Sequence, residues 1–245
     1  MHLLLSCEHA TNAVPERYRH LFDGARATAA LRGHRGCDLG ALELAESLQA
    51  ALGATLFAAE ASRLLIDLNR SLHHRELFSE FSRVLNASER AQVIATIYSP
   101  YRMTVERHIE RQLQRGATVV HISVHSFAPR LRGHTRNADI GLLYDSKRPP
   151  ELQMSLALAR ALLHAEKPKG RFFRTRHLRV RRNYPYRGAA DGLTTALRRR
   201  SPDGRYLGIE IEVNQRLLSA RARAVRIADR LAAALQRVLD DAESV

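Results

Sequence analysis

Two histidines in this sequence each close a short run of β-forming residues: His9 in LLLSCEHA (3–10) and His125 in HISVHS (121–126). Side chains just beyond the carboxyl ends of neighbouring strands share one rim of a sheet, so two such histidines can meet there. Two imidazoles and a carboxylate are a donor set for catalytic zinc, which keeps one position open for water. The carboxylate has two candidates. Asp38, in GHRGCDLGA (33–41), stands just ahead of a helical pattern, where its alternative role is an N-cap. Glu8 adjoins His9, but successive strand residues face opposite sides, which weighs against both reaching one ion. Cys7, in the same run, reads as a small buried hydrophobe rather than a nucleophile.

Hydrolysis also calls for a general base that is not a ligand. Glu210 and Glu212 lie two apart in GIEIEVN (208–214) and so share a strand face. A carboxylate inside an apolar strand is costly unless paired or functional. Glu212 is nearer the strand's carboxyl end and is the preferred base. Charged and polar groups cluster in three other stretches: Arg63, Asp67, Asn69 and Arg70 in SRLLIDLNR (62–70), where Asp67 can instead pair with and orient an arginine, Arg136 and Asp139 in HTRNADIGLLYD (134–145), and Asn183, Tyr186, Arg187 and Asp191 in RRNYPYRGAADG (181–192). Arginine's planar fork binds carboxylates in two-point fashion. The Pro/Gly-containing 181–192 stretch reads as a turn covering a substrate. His20, His73, His74, His108 and His164 read as solvated surface.

The elements that must carry these groups alternate. Strands are expected at 2–6, 55–59, 63–68, 118–126, 140–145, 172–175 and 206–214. Helices are expected at 40–53, 101–116, 150–165 and 219–242, from apolar residues at helical spacing and from glycine stops at Gly53 and Gly116. Short Val/Ile/Leu-rich runs alternating with helices predict an α/β fold, a mostly parallel mixed sheet flanked by helices. No repeat or linker divides the chain, so residues 1–245 read as one domain.

Composition narrows the class. The 245 residues carry a formal net charge of +14, from 36 Arg and only 3 Lys against 25 acidic residues. The densest basic run, 171–200, holds ten Arg but no zinc-finger or RNA-binding aromatic signature. A basic cleft for a small anionic substrate is the stronger reading, with nucleic-acid binding around 171–200 as the lesser one. No apolar run approaches the roughly 18–20 residues of a membrane span. The start, MHLLLSCEHA, lacks the features of a secretory leader, and a cytoplasmic protein is expected. GxGxxG, GxxxxGK[ST] and GxSxG are absent in the contexts that would give them meaning.

Seven stretches, SCEHATNAVP, GCDLGALELAESL, SRLLIDLNRS, ISVHSFAP, RNADIGLLYD, NYPYRGAADGLTTALR and YLGIEIEVNQ, follow one another in the order seen in the N-formylglutamate amidohydrolase family. Residues 3–220 resemble that family. The resemblance implies a phosphorylase/hydrolase-like α/β fold, similar to zinc carboxypeptidases and aspartoacylase. It also implies metal-assisted hydrolysis of N-formyl-L-glutamate to formate and L-glutamate in histidine degradation. It places His9, Asp38 and His125 on the metal, zinc or another divalent ion, and Glu212 in the role of catalytic carboxylate. Arg63 and Arg70 match the family's SR…DLNR arginines, and Asn69, Arg136, Asn183 and Tyr186 complete the expected substrate contacts. Where carboxypeptidase-like enzymes carry HxxE, His9 is followed three places on by Asn12. The carboxylate ligand is therefore expected from elsewhere in the chain. The alternative on the same scaffold is hydrolysis of another N-acyl amino acid or peptide-like amide.

Overall fold

A computed structural model describes residues 1–164 and 178–244. The chain forms β1 (His2–Cys7), a 3-10 turn (Glu16–Phe22), α1 (Ala25–Arg32), α2 (Ala41–Leu52), β2 (Thr55–Ala58), α3 (Ala87–Val93) and α4 (Ser99–Gln114). It continues through β3 (Val119–Phe127), a small hairpin of β4 (Arg130–Leu131) and β5 (His134–Thr135), β6 (Ile140–Leu143) and α5 (Pro149–His164). β7 (Val180–Arg182), α6 (Leu193–Arg200), β8 (Tyr206–Asn214), α7 (Gln215–Leu218) and α8 (Arg221–Glu243) complete it. The strand expected at 172–175 lies outside the described residues.

Six strands form one sheet in the order β2-β1-β3-β8-β6-β7. All neighbouring pairs are parallel except β6 with β8. The expected mostly parallel mixed sheet is therefore what the sequence builds. β3 and β8 are buried along nearly their whole length, as strands covered on both faces must be. α2, α5 and α8 cover one face, and α4 and α6 the other. α8 presents Ile227, Leu231, Leu235 and Val238 to the core at helical spacing.

The expected strand at 63–68 does not form. Leu64, Leu65, Ile66 and Leu68 are buried, but the backbone turns on itself. The Ser62 hydroxyl accepts from Leu64 N and the Asp67 carboxylate accepts from Asn69 N, at 3.2 and 3.0 Å. Such side-chain-to-backbone bonds compete with a sheet ladder. The outcome suits the site, because a turn brings Arg63 and Asp67 to one side whereas a strand would have spread them. The following connector, 71–100, is tied down by buried Leu77, Phe78, Leu85, Val93 and Tyr98, and α3 starts with an Asn86/Glu89 capping box.

Many arginines face inward. Glu151 is fully buried and receives Arg198 Nε at 2.8 and 3.0 Å, Asp145 N at 2.9 Å and Gly208 N at 3.2 Å. The same guanidinium donates to the carbonyls of Gly188 and Gly208 at 2.6 and 2.7 Å. One ion pair thus links α5, α6, the 183–192 loop and β8. Removing one partner of a buried pair strands the other charge. Glu151→Ala should lower unfolding free energy by about 3–5 kcal/mol, read as a shifted urea midpoint. A midpoint equal to wild type would show that the pair is dispensable.

Candidate metal centre

The parallel strands β1, β3 and β8 end at one rim. Their register there sets Ser6 beside Ser123 and His125 beside Glu212. His125 and Glu212 therefore reach the rim as neighbours. His9 follows two residues after β1, in a turn, so it escapes strict strand alternation. Asp38 arrives from the loop before α2, and its backbone N–H bonds the His9 carbonyl at 3.0 Å. Asp38 does not cap α2, because Gly40 holds the N-cap position with φ of 78°. A side chain at Gly40 would be strained by that φ and would meet Leu218 Cβ at 2.7 Å. The Asp38 carboxylate is left to face the histidines.

His9, Asp38 and His125, all buried, offer donor atoms that lie within 4.8 Å of one another. Asp38 Oδ2 is 3.3 Å from His9 Nδ1 and 2.8 Å from His125 Nδ1. The other nitrogen of each ring meets a second carboxylate. His9 Nε2 is 2.7 Å from Asp67 Oδ1, and His125 Nε2 is 3.0 Å from Glu8 Oε2. Carboxylate partners of this kind fix the tautomer and heading of metal-binding imidazoles. Two nitrogens and one carboxylate oxygen, converging and braced from behind, fit a divalent cation.

The charges point the same way. Glu8, Asp38, Asp67 and Glu212 are all buried around this point. The guanidinium groups near them are Arg63, 2.9 Å from Asp67 and 3.4 Å from Asp38, and Arg70, 3.9 Å from Asp67. Among the described residues, Glu212 Oε2 has no hydrogen-bond partner. Burial pushes the Glu212 carboxyl up to about 7, opposed by His125 and helped by the charges of Asp38 and Glu210. A buried carboxyl near neutrality, unbonded and beside a metal-type donor set, is suited to move a proton. Its setting is backed by Gly141, opposite Glu212 in the β6–β8 register. A Cβ at Gly141 would run into the Tyr184 carbonyl oxygen and come within 3.3 Å of Glu212 Cβ.

The expected substrate contacts divide. Arg136 and Tyr186 lie together, with Arg136 Nη2 donating to the Tyr186 hydroxyl at 3.0 Å and its guanidinium 5.0 Å from the ring centre. Tyr186 is exposed. Arg136 makes no ion pair among the described residues. Arg63 is turned inward onto Asp38 and Asp67. Arg70 donates to the Asp191 carbonyl at 3.3 Å. Asn69 Oδ1 accepts from Leu193 N at 2.7 Å, at the start of α6. Asn183 Oδ1 accepts from Tyr144 N and Gly188 N at 3.1 and 3.0 Å, which shapes the 183–188 turn. The expected pocket residues thus include two asparagines that spend their oxygens on backbone.

Sequence reasoning did not single out Ser123, whose hydroxyl donates to Glu8 at 2.6 Å and sits 2.8 Å from His125 Nε2. Its signal was present, because it lies two places before His125 on the same strand face. Asp67, read as an ion-pair partner for arginine, also braces His9.

A buried histidine–carboxylate group thus sits at the strand ends of a mostly parallel α/β sheet. The chain belongs to the N-formylglutamate amidohydrolase family, whose model matches residues 1–219. Among solved structures it is similar to gene product Atu2144 from Agrobacterium tumefaciens, at 30% identity and TM-score 0.78, covering 98% of this chain and 91% of that one. It also shares its fold with an N-formylglutamate amidohydrolase from Ralstonia eutropha JMP134, at 22% identity and TM-score 0.75, covering 99% and 94%. No curated protein matches the sequence.

The electrostatics set a pH dependence. Burial lowers His125, but its bonds to Asp38 and Glu8 outweigh this and hold it well above its ordinary value. Burial and Arg63 lower His9, and Asp67 and Asp38 outweigh them to raise it. A cation at the Nδ1 atoms must displace those protons, so zinc binding should release protons and its apparent affinity should climb as pH rises through the neutral range. Calorimetric titrations in buffers of different ionisation enthalpy check this, and a pH-independent affinity would contradict it. For the metal-free protein the sign is opposite. Stability conferred by the raised histidines is present below their ordinary pKa and lost as pH rises through the folded values.

Proposed function

We propose that this chain is a metal-dependent amidohydrolase that cleaves N-formyl-L-glutamate to formate and L-glutamate, with residues 1–245 acting as one domain. His9, Asp38 and His125 hold zinc or another divalent ion, and Glu212 is the catalytic base. Membership of the N-formylglutamate amidohydrolase family supports the reaction class and the substrate. The observation that carries the reading is the buried, unbonded Glu212 carboxylate oxygen, beside His125 in the strand register. The place of the reaction is the cytoplasm, in histidine degradation.

A divalent ion supplies Lewis acidity toward the amide carbonyl and toward water. The chain's residues do the rest. Glu212 accepts a proton as water attacks the formyl carbon and returns one to the departing amine nitrogen. A carboxyl held near neutrality serves both transfers, because neither direction is steeply uphill. The buried walls exclude bulk water from this exchange. Arg136 and Tyr186 bind a substrate carboxylate, the Arg136 guanidinium making no ion pair among the described residues. Arg63 adds positive potential from below while keeping Asp38 and Asp67 in place. Arg70, Asn69 and Asn183 set the walls that face the substrate, through Asp191, the start of α6 and the 183–188 turn.

Two variants separate these roles. Glu212→Gln should keep its zinc, measured by elemental analysis, yet lose about 10²–10⁴-fold in kcat for formate release. A variant turning over at the wild-type rate would refute the base. Arg136→Ala should raise KM for N-formylglutamate roughly 10- to 100-fold with little change in kcat, the size of a lost charge-assisted hydrogen bond. An unchanged KM would remove Arg136 from substrate binding.

A further inference from the structure

Glu8 is fully buried, yet it is neither a ligand nor the base in the reading above. Its three partners come from two elements, β3 and α4, and among the described residues none is an arginine or lysine. Ser123 of β3 donates to Oε2 at 2.6 Å, His125 Nε2 lies 3.0 Å from the same oxygen, and the Tyr101 hydroxyl of α4 lies 3.3 Å from Oε1. Asp67, the corresponding brace behind His9, differs. Arg63 donates to it at 2.9 Å and Arg70 approaches to 3.9 Å. A buried carboxylate held by neutral donors is costly unless positive charge stands close by. Among the described residues, His125 is the contact through which such charge reaches Glu8. One ring nitrogen meets Glu8, and the other faces Asp38 Oδ2 at 2.8 Å.

We propose that Glu8 is a positioning residue for the metal centre, holding the proton of His125 on Nε2 so that the Nδ1 lone pair faces the cation. Its negative charge, which meets no guanidinium among the described residues, strengthens His125 as a donor more than Asp67 strengthens His9. Ser123 aims the Glu8 carboxylate, and Tyr101 closes its far side. The strand geometry explains how a residue adjoining His9 can serve His125 instead. Ser6 and Ser123 are paired across β1 and β3, His125 follows two places after Ser123 on the same face, and the turn that begins at Glu8 brings its carboxylate onto both.

This inference rests on the metal reading of the site, and its test can tell the two apart. Zinc affinity by chelator competition, and the visible spectrum of the cobalt(II) form, are measured on the full chain for wild type, Glu8→Gln and Ser123→Ala. Glu8→Gln should bind zinc roughly 10- to 100-fold more weakly and alter the cobalt bands, and Ser123→Ala should show a smaller loss in the same direction. Metal-free Glu8→Gln should melt somewhat lower than metal-free wild type, since His125 loses a buried partner, so the metal readouts carry the test. A merely structural role would give that lower melting temperature with unchanged zinc affinity and unchanged cobalt bands. If Glu8→Gln does not fold, Glu8→Asp replaces it. That variant keeps the charge but draws it back by one methylene, and the same weakening is expected. Zinc affinity within about twofold of wild type, with an unchanged cobalt spectrum, would overturn the role of Glu8 alone. Wild type that takes up no zinc would overturn the metal reading and this inference with it.

Discussion

The site depends on an excess of buried negative charge at the carboxyl ends of β1, β3 and β8. Glu8, Asp38, Asp67 and Glu212 are removed from water within one small region. Arg63 and the more distant Arg70 are their guanidinium partners. Ionised carboxylates do not gather in a low-dielectric interior unless something repays their desolvation. In the metal-free protein the surrounding carboxylates raise both His9 and His125 above the ordinary imidazole value, so a proton on either ring is favoured where positive charge is short. A divalent ion held by His9, Asp38 and His125, as proposed, would supply it too and would leave Glu212 free to exchange protons. The surrounding structure serves this arrangement. The parallel register of β3 and β8 makes His125 and Glu212 neighbours, the 62–70 turns present Arg63 and Asp67 together, and Gly40 lets the Asp38 loop enter α2 without spending Asp38 as a cap.

Much of this was legible in the sequence wherever a residue's direction follows from strand periodicity. The runs around β1, β3, β6 and β8 and the patterns of α2, α4, α5 and α8 are strongly periodic, and they form where expected. The strand-end positions of His9 and His125, and the shared face of Glu210 and Glu212, follow from the same rule. The strand at 63–68 was misread because an apolar run does not reveal whether its polar residues will bond their own backbone. Ser62 and Asp67 do so, and the chain curls. The weighing against Glu8 assumed that alternation continues through His9. The strand ends at Cys7, and in the turn beyond it Glu8 and His9 both come to serve one centre from different sides.

The arginine-rich composition also changes meaning in the folded chain. Arg198 lies on buried Glu151, Arg179 and Arg216 on buried Asp139, and Arg63 on Asp38 and Asp67. Two members of the basic 171–200 run, Arg179 and Arg198, are therefore structural cross-links rather than a surface for phosphate. Arg136 differs, since it packs against Tyr186 and Phe127 and makes no ion pair among the described residues. Net charge in the sequence could not separate these cases, because the distinction lies in which acid each guanidinium meets in three dimensions. No helix among the described residues is long and apolar enough to cross a membrane.

The most direct test of the central claim is anomalous X-ray diffraction at the zinc edge from crystals of the zinc-treated protein. The account predicts one strong peak about 2.0–2.2 Å from His9 Nδ1, Asp38 Oδ2 and His125 Nδ1 together, with Glu212 beside it and not among its ligands. Density with no peak there, or a peak bound elsewhere while these three side chains stay bonded to one another, would contradict it.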